Sequence, residues 1–218
     1  MMSCPFCSCK RSFDLGWEIY ICSNCGTIFK GNFVYKKSYY NDIEIHGQPE
    51  IPGLCKHWAD DMVRVIREDA GSGFIFQSVL DIGCDRGYFL DRLCDRYVVA
   101  GCDIENRMER RHPYFATFDE IQGAFDVVAM VSTIEHLNAA QLRFLSITVK
   151  RVCNEYIYIA TNSPKPITVV LNDLKYNEHH AITNETALGI LFGPEFQVVK
   201  VNHRVDYFST YLLSRKVW

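Results

Sequence analysis

The 218-residue chain is predicted to be an α/β protein: a doubly wound, mostly parallel seven-stranded sheet ending in an antiparallel hairpin, preceded by a small cysteine ribbon. Three observations carry this reading. Two C-x2-C pairs lie near the N-terminus, an apolar run enters a glycine turn and then a helical stretch, and two strand-like segments close the sequence with only a short polar connection between them. The length suits one full α/β domain plus an appendage too small to fold without a staple. A ribbon with its connector is expected over residues 1–45 and the main domain over 46–218.

A hydrophobic content of 48% and a charged content of 22% exclude a disordered or fibrous chain. The formal charge of −3 splits unevenly, and neither half is a basic patch by count: residues 1–57 hold six Lys/Arg against five Asp/Glu, and residues 58–218 hold 17 against 21. That argues against a nucleic-acid backbone as the main partner, because such binding rests on many Lys/Arg contacts. No signal segment follows Met1 and no stretch approaches 18 apolar residues, so the expected location is the cytoplasm, away from membranes. Its ten cysteines should stay reduced there, clustered ones for metal and scattered ones (Cys55, Cys84, Cys94, Cys102, Cys153) for core packing.

Cys4-Pro-Phe-Cys7 and Cys22-Ser-Asn-Cys25 have the spacing of a four-thiolate ribbon. Each pair forms a knuckle whose two sulfurs bite one ion, and Zn²⁺ prefers four such ligands in a tetrahedron. Four protein ligands leave no open position, so the metal is expected to be structural. Cys9 stands C-x-C from Cys7, a poorer bite, and is left out of the set. The alternating WEIYI (17–21) suits a ribbon strand. The aromatic, basic stretch KGNFVYKKSYYND (30–42) reads as strand and loop packed on the next domain, or as a surface on which a nucleobase could stack. LCKHWADDMVRVIRED (54–69) has helical spacing.

In the main domain FIFQSVL (74–80) is a buried strand. It runs into Asp81-Ile-Gly83-Cys84-Asp85-Arg-Gly87 and then the helix-like YFLDRLCDRY (88–97), a Rossmann-like strand, turn and helix. The next strand, YVVAGCD, ends on Asp103, where a carboxylate can accept hydrogen bonds from both hydroxyls of a ribose. Charge then selects the nucleoside. Asp81 and Asp85 flank Gly83 and would repel a pyrophosphate, whereas S-adenosylmethionine carries no phosphate and presents an ammonium and a sulfonium.

DIGCDRGYF, the GCD strand end and FDVVAMVSTIEHL together resemble three successive motifs of the class I S-adenosylmethionine-dependent methyltransferases, best over residues 78–162. The resemblance implies that Gly83 and Gly87 cradle the aminocarboxypropyl group, that Asp81 faces its ammonium and that Asp103 holds the ribose, with Cys84, Asp85 and Ile104 in the same set. Two departures are evident. Asp85 stands where the family has Gly, and Cys153-Asn154-Glu155 replaces its usual Pro-Gly-Gly turn.

Strands are expected at YFATF (114–118), FDVVAMV (125–131) and YIYIAT (156–161), with a hairpin from FQVVKVN (196–202) and YFSTYLL (207–213). Ligands of open α/β sheets lie beyond the carboxyl ends of the strands. Phe118 and Asp119 are therefore placed beside the adenine, and Met130 and Ser132 near the sulfonium. Methyl transfer needs the acceptor aligned and its proton removed. His136, with Glu135 beside it, follows the fourth strand of the main sheet and is the expected base. The chain is similar here to zinc-ribbon sugar methyltransferases, which use Glu-His at this motif, although they have Tyr where Thr133 stands. His179 and His180, in YNEHHAIT (176–183), are expected over the acceptor, His180 as an alternative base or clamp. The expected activity is methyl transfer to a small, polar acceptor, a sugar among them. RNA is the alternative acceptor, since a ribbon before this fold also resembles some ribosomal-RNA methyltransferases, whose ribbons place a His among the ligands. A catalytically silent cofactor-binding subunit is the remaining alternative.

Overall fold

The computed structural model describes residues 3–16, 18–31, 51–71, 73–105, 107–108, 111–162, 174, 179–203 and 208–216. The 45/46 boundary and most of the 30–42 stretch lie outside the described residues. The first helix, α1 (Ile51–Ala70), buries Trp58, Ala59, Met62, Val65 and Ile66, the stripe that a 3.6-residue period predicts. Asp61 sits on the same face and is stabilised there by the Tyr158 hydroxyl, which donates to its Oδ2 at 3.0 Å.

The main sheet is built from β4 (Ser78–Ile82), β5 (Val98–Cys102), β6 (Tyr114–Phe115), β7 (Phe125–Val131), β8 (Cys153–Asn162), β10 (Phe196–His203) and β11 (Phe208–Arg215). Its order is β10-β11-β8-β7-β4-β5-β6. The pairs among β4 to β8 are parallel, β11 runs antiparallel to β8, and β10 antiparallel to β11. This is the expected doubly wound sheet with a C-terminal hairpin. The hairpin forms one edge of the sheet, with β11 against β8 and β10 outermost.

Two elements are shorter than expected. YFATF supplies strand only at Tyr114–Phe115, because Phe118–Glu120 turns as a 3-10 helix. The helix after the glycine turn, α2, is regular only over Tyr88–Asp91. Beyond it the chain continues as successive turns through Tyr97, with Leu93 and Cys94 amides donating to the Leu90 carbonyl at 2.9 Å. α3 (Ala139–Val152) starts in a capping box, Asn138 accepting from the Gln141 amide while the Gln141 side chain accepts from the Asn138 amide. α4 (Glu185–Phe192) starts at Asn184, whose side chain accepts from the Ala187 amide.

The ribbon contributes β1 (Ser12–Asp14), β2 (Ile19–Cys22) and β3 (Ile28–Lys30), antiparallel in that order. A fourth strand comes from far along the chain: β9 (Ala181–Ile182) pairs with β3, Ile28 opposite Ile182 and Phe29 opposite Ala181. Phe6, Phe29 and the knuckle cysteines share one hydrophobic core with Leu142 and Leu145 of α3 and with Leu188 of α4. The ribbon is thus packed onto the main domain through its knuckles and Phe29, while Ile19 and Ile28 form a separate cluster with Leu174 and Ile182.

Candidate functional site

The carboxyl ends of β4, β5 and β7 open into a cavity of about 770 Å³. The turn after β4 shapes its floor. Gly83 has φ +81°, and a Cβ there would lie 2.2 Å from Thr133 Oγ1, which donates to the Ile82 carbonyl at 3.0 Å. Thr133 and Gly83 thus lock the first and fourth strand ends of the main sheet together, so the side chain that replaces the expected Tyr has a structural task. Asp85 takes φ +41°, a left-handed conformation in which Gly is cheapest and Asp is among the better tolerated alternatives. Its amide donates to Asp103 Oδ2 at 3.0 Å and its carboxylate pairs with Arg107 at 3.3 Å. The turn therefore keeps its left-handed course with Asp in the glycine position.

Of the residues singled out in the sequence, Asp81, Gly83, Cys84, Asp85, Asp103, Ile104, Phe118, Asp119, Ser132 and His136 line the cavity. Four expected residues do not. Gly87 (φ +77°) lies behind the wall, where a Cβ would come within 2.9 Å of Met108 Sδ; it permits the turn and does not touch the cavity. Met130 is wholly buried with Leu142 and Leu145 under α3, because alternation along β7 turns its neighbour Val131 to the cavity instead. Glu135 is 1% exposed and stands behind His136. His180 is buried too; its amide donates to the Glu135 carbonyl at 2.7 Å, and the imidazole, pushed down to about 3 by burial and then by Lys30, is neutral. Of the adjacent pair, the histidine that reaches the cavity is His179.

Sequence reasoning missed Ile51 and Cys55 of α1, Arg107, and a lid edge formed by Leu137, Gln141 and Phe144. Phe144 is 41% exposed on the outer face of α3, an apolar residue where the helical period calls for a polar one, and that signal could have been read.

The cavity floor is acidic. Burial first, and then the neighbouring Asp103, hold the Asp81 carboxyl well above its usual range. Burial likewise raises Asp103, although the amides of Asp85 and Glu105 donate to it. Asp81 Oδ1 is buried without a hydrogen-bond partner, an arrangement that costs free energy in the free protein and that a cationic donor would relieve. An aminocarboxypropyl ammonium is such a donor, and Asp103 retains lone pairs for ribose hydroxyls. The residues present fit S-adenosylmethionine.

At the opposite wall, a 3-10 turn (Ile134–His136) after β7 carries Glu135 and His136. The His136 and His179 rings lie 4.7 Å apart, and His179 Nδ1 is 2.8 Å from Asn162 Nδ2 at the end of β8. Ligand atoms of Glu135, His136 and His179 all fall within 4.8 Å of one another. Ser132 between them and β7 has φ +50°, a strained backbone at the point where the cavity walls meet.

The ribbon brings its four thiols together. Cys4 Sγ is 3.6 Å from Cys25 Sγ and Cys7 Sγ is 3.4 Å from Cys22 Sγ, with all four within 4.8 Å. Tetrahedral Zn–S bonds of about 2.3 Å put sulfurs roughly 3.8 Å apart, so this set could hold zinc with little movement. Cys9 points elsewhere, accepting from the Arg11 amide at 3.4 Å.

Strand order and the antiparallel β11 define the Rossmann-like fold of S-adenosylmethionine-dependent methyltransferases. No protein-family profile and no curated protein matches the sequence. Solved structures do. The chain is similar to a S-adenosylmethionine-dependent methyltransferase of Clostridium acetobutylicum (TM-score 0.61, 13% identity, 82% of this chain and 100% of that one). It is similar as well to the plantazolicin methyltransferase in complex with S-adenosylhomocysteine (TM-score 0.60, 14% identity, 82% and 88%). A third is magnesium protoporphyrin IX methyltransferase of Synechocystis with bound S-adenosylhomocysteine (TM-score 0.53, 14% identity, 85% and 90%). Among the described residues no helix is long and apolar enough to cross a membrane.

Proposed function

We propose that this protein is a cytoplasmic S-adenosylmethionine-dependent methyltransferase acting on a small, polar, sugar-like acceptor, with a structural zinc in its ribbon. The buried, partnerless Asp81 Oδ1 above an acidic floor carries the reading, because it asks for a cation where that cofactor has its ammonium. The likeness in fold to methyltransferases with bound S-adenosylhomocysteine supports it. The cofactor supplies a methyl group already activated by a sulfonium. Asp81 binds the ammonium, Asp103 the ribose and Phe118 with Asp119 the adenine, while Ile104 covers the ribose side. Ser132 and Val131 close the sulfonium end. His136 takes the acceptor's proton as the methyl group arrives, and the buried Glu135 favours the imidazolium so formed. The formal net charge of −3 supports a metabolite over RNA. Calorimetric titration with S-adenosylmethionine is the test: no binding leaves only a fold without this function, and binding without transfer to any co-purified metabolite found by mass spectrometry supports a silent subunit.

The proximity of Glu135, His136 and His179 favours a second reading of the acceptor end, in which a divalent cation orients an acceptor oxygen in place of a histidine base. Metal analysis separates the two, since that reading requires a second, chelator-sensitive ion per chain.

A further inference from the structure

We infer that the cysteine ribbon is an internal brace of the acceptor end: by pairing β3 with β9 it holds the His179–His180 segment against His136, and its metal sets that geometry without touching the acceptor. The acceptor end itself rests on the proposed function. Three bonds carry the inference. The Lys30 amide of β3 donates to the His180 carbonyl at 2.8 Å, and the His180 amide donates onward to the Glu135 carbonyl at 2.7 Å. A backbone path thus runs from the ribbon, through one residue, to the turn that carries His136. The third bond joins the knuckle itself: Asn184 Nδ2 donates to the carbonyl of Cys25 at 2.9 Å while its Oδ1 caps α4 through the Ala187 amide at 3.0 Å. Gly26 leaves room for this contact, since a Cβ there would stand 3.2 Å from Asn184 Nδ2.

The segment is held from the main sheet as well, by Asn162 Nδ2 at 2.8 Å from His179 Nδ1 and by the Tyr211 hydroxyl, which donates to the Thr183 carbonyl at 3.4 Å. β9 is two residues long and its sheet partner is β3. A two-residue strand gains order from what it docks on and not from its own length. Adjacent residues of an extended chain face opposite ways, so docking His180 inward on the ribbon side turns His179 to the cavity, where its ring meets that of His136. His179 is then a positioning residue for His136, and the ribbon sets its place. The same pairing occupies the edge of β3 that another peptide strand would otherwise use.

The test uses the full chain with zinc, the full chain stripped by a chelator, and Asn184→Asp. That variant keeps an oxygen to cap α4 but has no N–H for Cys25 and places two oxygens face to face. Three quantities are measured: hydrogen exchange of the amides at 180–184, the proton–proton cross-relaxation between the His136 and His179 rings, which lie 4.7 Å apart, and S-adenosylmethionine affinity. The brace requires exchange at 180–184 to speed up roughly tenfold or more in both altered forms and the ring-to-ring contact to be lost. Cofactor affinity should stay within about twofold, and zinc should restore the stripped form. Unchanged exchange on zinc removal overturns the inference. So does faster exchange with an unchanged ring contact, which would make the ribbon structural there and nothing more, or a parallel loss of cofactor affinity, which would mean that the metal supports the whole domain. If the wild-type chain fails to bind S-adenosylmethionine, the proposed function falls, while exchange and the ring contact still decide the brace.

Discussion

The backbone amide of Asp85 donates to the Asp103 carboxylate at 3.0 Å, joining the turn after the first strand of the main sheet to the acid that closes the second. One carboxylate therefore holds the loop and faces the cavity. Because the second amide on it comes from Glu105, its own strand end is fixed by the same group.

Asp103→Ala is expected to weaken S-adenosylmethionine binding about 10- to 100-fold, since ribose hydroxyls lose a charged acceptor and the Asp85 and Glu105 amides lose theirs. Titration calorimetry reads this directly. An unchanged dissociation constant would remove Asp103 from the ribose site.

Asp85→Gly should be close to neutral. Relief of a left-handed residue is worth about 1 kcal/mol, and the half-exposed pair with Arg107 that is lost is worth less than that. We expect cofactor affinity within about threefold of wild type; a loss beyond tenfold would show that the Asp85 carboxylate itself touches the cofactor.

For Asp81 the sign of the pH dependence follows from its raised carboxyl. The folded protein holds that proton more tightly than the unfolded chain, so the stability it contributes is present at low pH and is lost as pH rises through the folded value. A cationic ligand prefers the carboxylate, so cofactor binding should release a proton and weaken as pH falls through the same value. Asp81→Asn is expected to remove the pH effect and the binding together, while raising the melting temperature of the free protein at neutral pH by roughly 2–4 °C, the response of a chain this size to about 1 kcal/mol. Calorimetry in buffers of different ionisation enthalpy, with thermal melts, checks both halves.

His136→Ala should leave cofactor affinity nearly intact and lower turnover by roughly 10²- to 10⁴-fold. Binding and chemistry separate because Asp81 and Asp103 are on β4 and just past β5, whereas His136 follows β7. Equal losses in both would assign His136 to the fold.

Metal analysis of the folded chain is expected to find one zinc, retained in Cys9→Ser and lost in Cys25→Ser. Well under one zinc per folded chain would dismiss the ribbon site.

What the sequence determined by itself was local or periodic. The two C-x2-C knuckles, the glycine turn between Asp81 and Gly87, the acid at Asp103 and the alternation of β7 each follow from chemistry within a few residues, and the structure brings them together as their spacing implies. The doubly wound, mostly parallel sheet with its closing hairpin followed as well, since alternating strands and helices leave few ways to cover both faces of a parallel sheet, but the order of its strands did not. Tertiary structure decided what depends on pairing between distant segments. Val131 rather than Met130 faces the cavity because a one-residue step along a strand reverses the side chain, and the facing is set by where α3 packs. His179 rather than His180 reaches it for the same reason, and that parity is set by β9 docking on a ribbon strand some 150 residues earlier in the chain. Thr133 in place of a Tyr and Asp85 in place of a Gly look like defects in a motif; each side chain meets a partner outside it, Thr133 packing over Gly83 and the Asp85 carboxylate pairing with Arg107. A motif records the residues that meet a ligand, but the contacts that aim them are made between segments the motif does not contain, and only the packed chain supplies those.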